Sequence, residues 1–64
     1  MKKGDIVCYK GDRSALATVT MISALYHDVG KVTLKAALIW LTGPKMGTKQ
    51  RYDTRDLIMV EEAG

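Results

Sequence analysis

Apolar and polar residues alternate along most of this chain with the period of a strand rather than of a helix. Lys31 to Leu41 shows it best. Read as extended, Val32, Leu34, Ala36, Leu38 and Trp40 share one face. Thr33, Lys35, Ala37, Ile39 and Leu41 share the other, a good period-two match. Read as a helix, Val32, Ala36, Ile39 and Trp40 would form a stripe, helped by the alanines. Flanking turns and β-formers at both ends favour the strand. Leu16 to Ile22 alternates in the same way, and its β-branched residues suit a pleated surface. Ala17, Val19 and Met21 are its expected core face. Leu16, Thr18, Thr20 and Ile22 form the other, half-hydroxyl face.

Shorter elements flank these two. Gly4-Asp5 is a turn and Ile6 to Tyr9 a short strand, closed by the turn signal Lys10-Gly11-Asp12. Ala24 to Gly30 reads as a connection. Gly43-Pro44-Lys45-Met46-Gly47 reads as a loop, since proline cannot donate to a sheet ladder. Thr48 to Tyr52 is a fourth strand with Lys49 and Arg51 on one face and Gln50 and Tyr52 on the other. Asp53-Thr54-Arg55-Asp56 is a turn or a single 3₁₀ turn, because Asp and Thr side chains satisfy local backbone donors. Leu57 to Val60 is a fifth strand, apolar on both faces, and Glu61 to Gly64 a frayed tail. Five short strands without a long helix predict an all-β fold, a small five-stranded closed barrel in one domain spanning residues 1–64.

The opening Gly4-Asp5-Ile6-Val7, the middle strand ending at Trp40, and Tyr52-Asp53 through Leu57 with its Asp-containing turn resemble a small SH3-like barrel of the KOW, Tudor and chromo-barrel type. The resemblance covers nearly the whole chain, as a pattern of elements. Gly11 sits where a mid-motif KOW glycine would, whereas Ala17-Thr18-Val19 lacks the glycine expected before it. Tyr9, Tyr26, Trp40 and Tyr52 are the aromatic side chains available for a cage of the methyl-lysine-reader kind. The short format is similar to accessory proteins of phages and mobile elements. Such a resemblance implies a binding module.

Composition narrows the chemistry. The chain has 64 residues, 47% hydrophobic and 27% charged, which is globular rather than disordered. A chain of this length buries only roughly 60% of its unfolded surface, so its core is marginal. Small domains often rely on disulfides, a metal or association. Cys8 is the one cysteine, so no internal disulfide forms. With His27 as the one histidine, no four-ligand zinc site of the usual kind fits within one chain. No apolar run approaches the ~20 residues of a membrane span. Met-Lys-Lys followed by Gly-Asp has no secretory apolar region. With the free thiol, this sets a cytoplasmic expectation. No cofactor is expected.

Charge is uneven. Lys45, Lys49, Arg51 and Arg55 lie in one stretch opposed only by Asp53, so the whole formal excess of +3 sits there and the remainder balances. A local excess suggests a contact surface. These four cations, with Lys2 and Lys3, are the expected nucleic-acid-binding set, for DNA or RNA, and Tyr52 would stack on a base if it faced outward. The bland alternative is a solvated face that keeps a small protein soluble. The second signal is surplus apolar surface: Ile39, Leu41, Ile58 and Val60 exceed what one small core needs. They are the expected interface residues for a protein partner or a homodimer, unless barrel corners bury both faces locally.

Catalysis finds little support. Cys8 lies in a strand beside Ile6, as a buried inert thiol would. His27 lies in a turn beside Asp28, and adjacent residues seldom point together. Asp53 and Asp56 read as backbone caps. Gly43 to Lys49 lacks the GxxxxGK[ST] spacing and opens no predicted helix. The expectation is a non-enzymatic binding module.

Overall fold

The computed structural model describes residues 1–26 and 30–64. It is an all-β chain of five strands: β1 (Ile6–Tyr9), β2 (Asp12–Tyr26), β3 (Val32–Trp40), β4 (Lys49–Asp53) and β5 (Leu57–Glu61), with the 3₁₀ turn η1 (Thr54–Asp56) between the last two. All neighbours pair antiparallel in one sheet of order β4-β3-β2-β1-β5. The ladder runs from β4 to β5 without joining those two edges, so the sheet is open rather than the closed barrel expected.

Val32–Trp40 is extended, as its alternation predicts, and Ala36, Leu38 and Trp40 are buried on one face. Ala17 and Val19 of β2 and Val7 of β1 meet them through the register Val7–Ala17–Trp40 and Val19–Leu38. Ala15 and Leu57 complete the core, with Tyr9, Ile22 and Tyr52 packed against it. Strand β3 thus carries the largest fully buried side chain, Leu38.

Two expectations about β2 are corrected. It continues through Ala24, Leu25 and Tyr26, which pair with Leu34, Thr33 and Val32, so this segment is strand rather than connection. A register shift between Val19 and Met21 inserts one residue, and a bulge of this kind moves later side chains to the opposite face. Ile22 therefore turns inward and packs on the core, while Met21, expected inside, is half exposed. The β2–β3 hairpin also outruns the core: Val32 and Leu34 share the parity of Leu38 but are exposed, as are Leu25 and Tyr26.

The chain ends are tied together. Asp5 is 1% exposed. Its carboxylate accepts the Lys2 N–H (2.8 Å) and the Ala63 N–H (2.8 Å). The expected frayed tail is thus anchored at Ala63, and Glu61 belongs to β5. The Ala63 amide is the main cause holding the Asp5 pKa below the usual carboxylate value, with the Lys2 amide adding to it. An asparagine at position 5 would set a donor NH₂ against one of these amides. Asp5→Asn is expected to lower the melting temperature by several degrees and to speed hydrogen exchange at Ala63.

Candidate functional site

Two hollows lie on opposite faces of the sheet. The first, about 170 Å³, opens on the core face and is lined by Tyr9, Asp12, Ala15, Trp40, Thr42, Pro44, Lys45 and Tyr52. Three of the four aromatic side chains thus meet here, from the ends of β1, β3 and β4. Tyr9 and Tyr52 have ring centroids 5.1 Å apart, and Tyr52 stands edge-on to Trp40 at 6.1 Å. Such offset and edge-to-face contacts match the ring quadrupoles. The Gln50 Oε1 accepts both Trp40 Nε1–H (2.8 Å) and Tyr52 O–H (2.9 Å), so one amide oxygen fixes two rings.

The turn and the loop around this hollow are built by glycine. A Cβ at Gly11 would stand 2.5 Å from Tyr9 Cε2, so the bare backbone there lets the ring lie over the turn. Gly43 has φ +86° and approaches the Ala15 side chain at the hollow's floor. Trp40 N–H to Thr48 O (3.0 Å) and Gly47 N–H to Trp40 O (2.7 Å) then close the loop back on the end of β3. Gly43→Ala places a Cβ 3.0 Å from Ala15 Cβ in a left-handed backbone. It is expected to cost about 1–2 kcal/mol, measurable by urea denaturation, and to loosen the Pro44-Lys45 wall.

The second hollow is a groove of about 520 Å³ on the outer face, lined by Thr20, Met21, Ala37, Ile39, Lys49, Gln50 and Arg51. Ile39 pairs with Lys49 and Ala37 with Arg51 in the β3–β4 register. The two cations stand two residues apart on the exposed side of an edge strand, with an apolar floor beside them.

The four cations expected to act together are therefore divided. Lys49 and Arg51 share the outer groove. Lys45 lines the aromatic hollow on the other face. Arg55, on η1, is held by Asp53: its Nη2 lies 2.9 Å from Asp53 Oδ2, and its backbone N–H reaches Asp53 Oδ1 at 2.9 Å, which caps the turn. The Arg55 side chain, then its amide, lowers the Asp53 pKa to about 2. A depressed carboxylate contributes stability that is fully present above its unfolded value and lost as pH falls through the folded one. The melting temperature is therefore expected to hold down to about pH 3.8 and to fall toward pH 2. Asp53→Asn should flatten that fall in circular-dichroism melts across the same range.

The expected interface residues lie as follows. Ile58 pairs with Cys8, which pairs with Leu16, two residues from Thr18, the partner of Ile39. Ile39 and Ile58 therefore share the outer face. Val60 is half exposed at a bulge opposite β1, and Leu41 follows β3 with its N–H on Leu16 O (2.8 Å). Cys8 is 4% exposed yet stands outside the core cluster. His27 and Asp28 lie outside the described residues. Among the described residues, no three His, Cys, Asp or Glu side chains gather where they could hold a metal ion, and no helix is long and apolar enough to cross a membrane.

Of the four aromatic side chains available for a cage, Tyr9, Trp40 and Tyr52 meet and Tyr26 does not, while Asp12 and Pro44 were not expected at a site. A signal was present: the three rings sit at strand ends beside turn residues, and Trp40 and Tyr52 fall on inward-facing positions of their strands. Only the cross-strand register brings them together. No protein family, curated protein or solved structure matches this chain.

Proposed function

We propose that this chain is a non-enzymatic binding module of the SH3-like barrel type that holds single-stranded nucleic acid against the outer face of β3 and β4. For the fold type, the support is the strand order β4-β3-β2-β1-β5, the 3₁₀ turn between the last two strands, and the bulge that lets the long β2 bend and serve both halves.

For the function, the carrying observation is the pairing of Lys49 and Arg51 with an apolar floor of Met21, Ala37 and Ile39. Cations on one wall track phosphates, while an apolar floor receives base faces. Aromatic rings, amides and surface cations contact and orient a ligand. Contact groups of this kind favour binding over catalysis as the reading.

Salt tests it. Single-strand binding loses affinity with a slope near −0.7 per phosphate neutralised, so these two cations alone contribute about sevenfold between 50 and 200 mM salt. Fluorescence anisotropy with a labelled oligonucleotide should show at least that loss. A flat salt response, or no binding to DNA or RNA, removes the proposal.

One observation favours a second reading, a homodimer through the outer face: Ile39, Ile58 and the buried Cys8 form an apolar row outside the core. Ile39 belongs to both surfaces, so the two readings compete for it. Light scattering should then report twice the chain mass, with Ile39→Asp returning a folded monomer. A monomer at high concentration leaves the groove free and removes the dimer.

A further inference from the structure

We infer that the aromatic hollow on the core face is a single-nucleotide pocket, which takes one unstacked base against the touching Tyr9–Tyr52 pair and its phosphate at Lys45. This rests on the nucleic-acid reading above and adds a second, base-reading contact to it.

Size comes first. At about 170 Å³ the hollow is smaller than the ~300–1,000 Å³ of sites for drug-sized ligands, so one planar ring system suits it. Its walls are Tyr9, Tyr52 and Trp40, with Pro44 facing them from the loop. Stacking on such rings accepts any base.

Polarity then selects the ligand class. The hollow has one carboxylate, Asp12, and one ammonium, Lys45. A bare organic cation would suit the rings and Asp12 but meets repulsion from Lys45. A nucleotide satisfies both groups at once: its exocyclic amine donates to Asp12, and its phosphate meets Lys45. The Asp12 Oδ1 is oriented by the Ser14 N–H (3.0 Å) and the Ser14 hydroxyl (2.5 Å). Both bonds go to Oδ1, so neither of them occupies Oδ2. A carboxylate accepting from a base amine favours cytosine, adenine or guanine over thymine.

Position makes the two contacts compatible. Lys45 lies in the loop that leads into β4, and Thr48, paired with Trp40, directly precedes Lys49. A strand with one base in the hollow would have to cross that loop, around the β4 edge, for its next phosphates to meet Lys49 and Arg51.

Trp40 is the one tryptophan in the chain, so its emission reports on the hollow directly. Titration of the intact chain with oligodeoxycytidylate, oligothymidylate and an abasic strand of equal length is the test. Expected are quenching of Trp40 by the first, and affinity for it roughly 5- to 150-fold above that for the abasic strand. Asp12→Asn, which keeps an oxygen for Ser14, should erase the preference for cytosine over thymine. Gly11→Ala has no positive φ to strain and displaces the Tyr9 ring, so it should reduce the quenching in a protein that remains folded.

Equal affinity for abasic and base-bearing strands, with Trp40 emission unchanged, overturns the pocket and leaves the Lys49-Arg51 surface standing. Loss of binding to every strand overturns both. Quenching by tetramethylammonium but by no nucleotide overturns the pocket in favour of a cation cage.

Discussion

Leu38→Ala is expected to cost about 2–5 kcal/mol, the range for deleting a fully buried leucine side chain. Leu38 is 1% exposed, sits on β3 between Val19 of β2 and Gln50 of β4, and is the largest fully buried side chain in the chain. The small core gives little means of closing the cavity. At ~0.05–0.15 kcal/mol per residue, a chain of this length has roughly 3–10 kcal/mol in total. The variant should therefore lose a large share of that stability, with its urea midpoint far below that of the parent, as read by far-ultraviolet circular dichroism. Leu34→Ala is the matched control. It removes the same atoms from the same face of the same strand, but at a position 47% exposed. Its effect should stay within about 0.5 kcal/mol, as for surface substitutions generally. Equal effects at both positions would mean that the core extends along the hairpin, contrary to the packing described.

The second large effect concerns binding. Lys49→Glu with Arg51→Glu changes the groove wall from two positive charges to two negative ones, four units of charge beside the strand. Both side chains are exposed on an edge strand, so folding should be little altered. Affinity for a single strand should fall at least about tenfold in 0.1 M salt, and the slope of log affinity against log salt should shrink by about 1.4, two phosphate contacts at 0.7 each. Arg55→Glu is the contrast. Arg55 is already engaged by Asp53, so its loss should disturb the η1 turn more than the binding. If Arg55→Glu abolished binding and the double variant left it intact, the basic stretch would act through η1 instead of β4.

Much of this architecture was legible in the sequence for a simple reason. A strand buried on one face must alternate, and Ala36, Leu38 and Trp40 do so without a polar interruption. The Asp53 cap was legible because an Asp before a short turn has backbone donors within reach. The bulge at the middle of β2 was not, since one inserted residue leaves no compositional mark and reverses the faces of Met21 and Ile22. Nor was the limit of the core along β3, because Val32 and Leu34 read as buried until the covering elements end short of them. Lys45 was grouped with Lys49 by proximity in sequence, yet the loop between them turns from one face of the sheet to the other. The aromatic hollow depends on three strand ends meeting, a non-local fact that no window of sequence contains.

The most direct test of the binding account is a map of backbone amide shifts, residue by residue, as unlabelled single-stranded oligonucleotide is added to the folded protein. The moving signals should cluster at Met21, Ala37, Ile39, Lys49 and Arg51. Shifts confined to Cys8, Ile58 and Val60, or none at saturating strand, would contradict it.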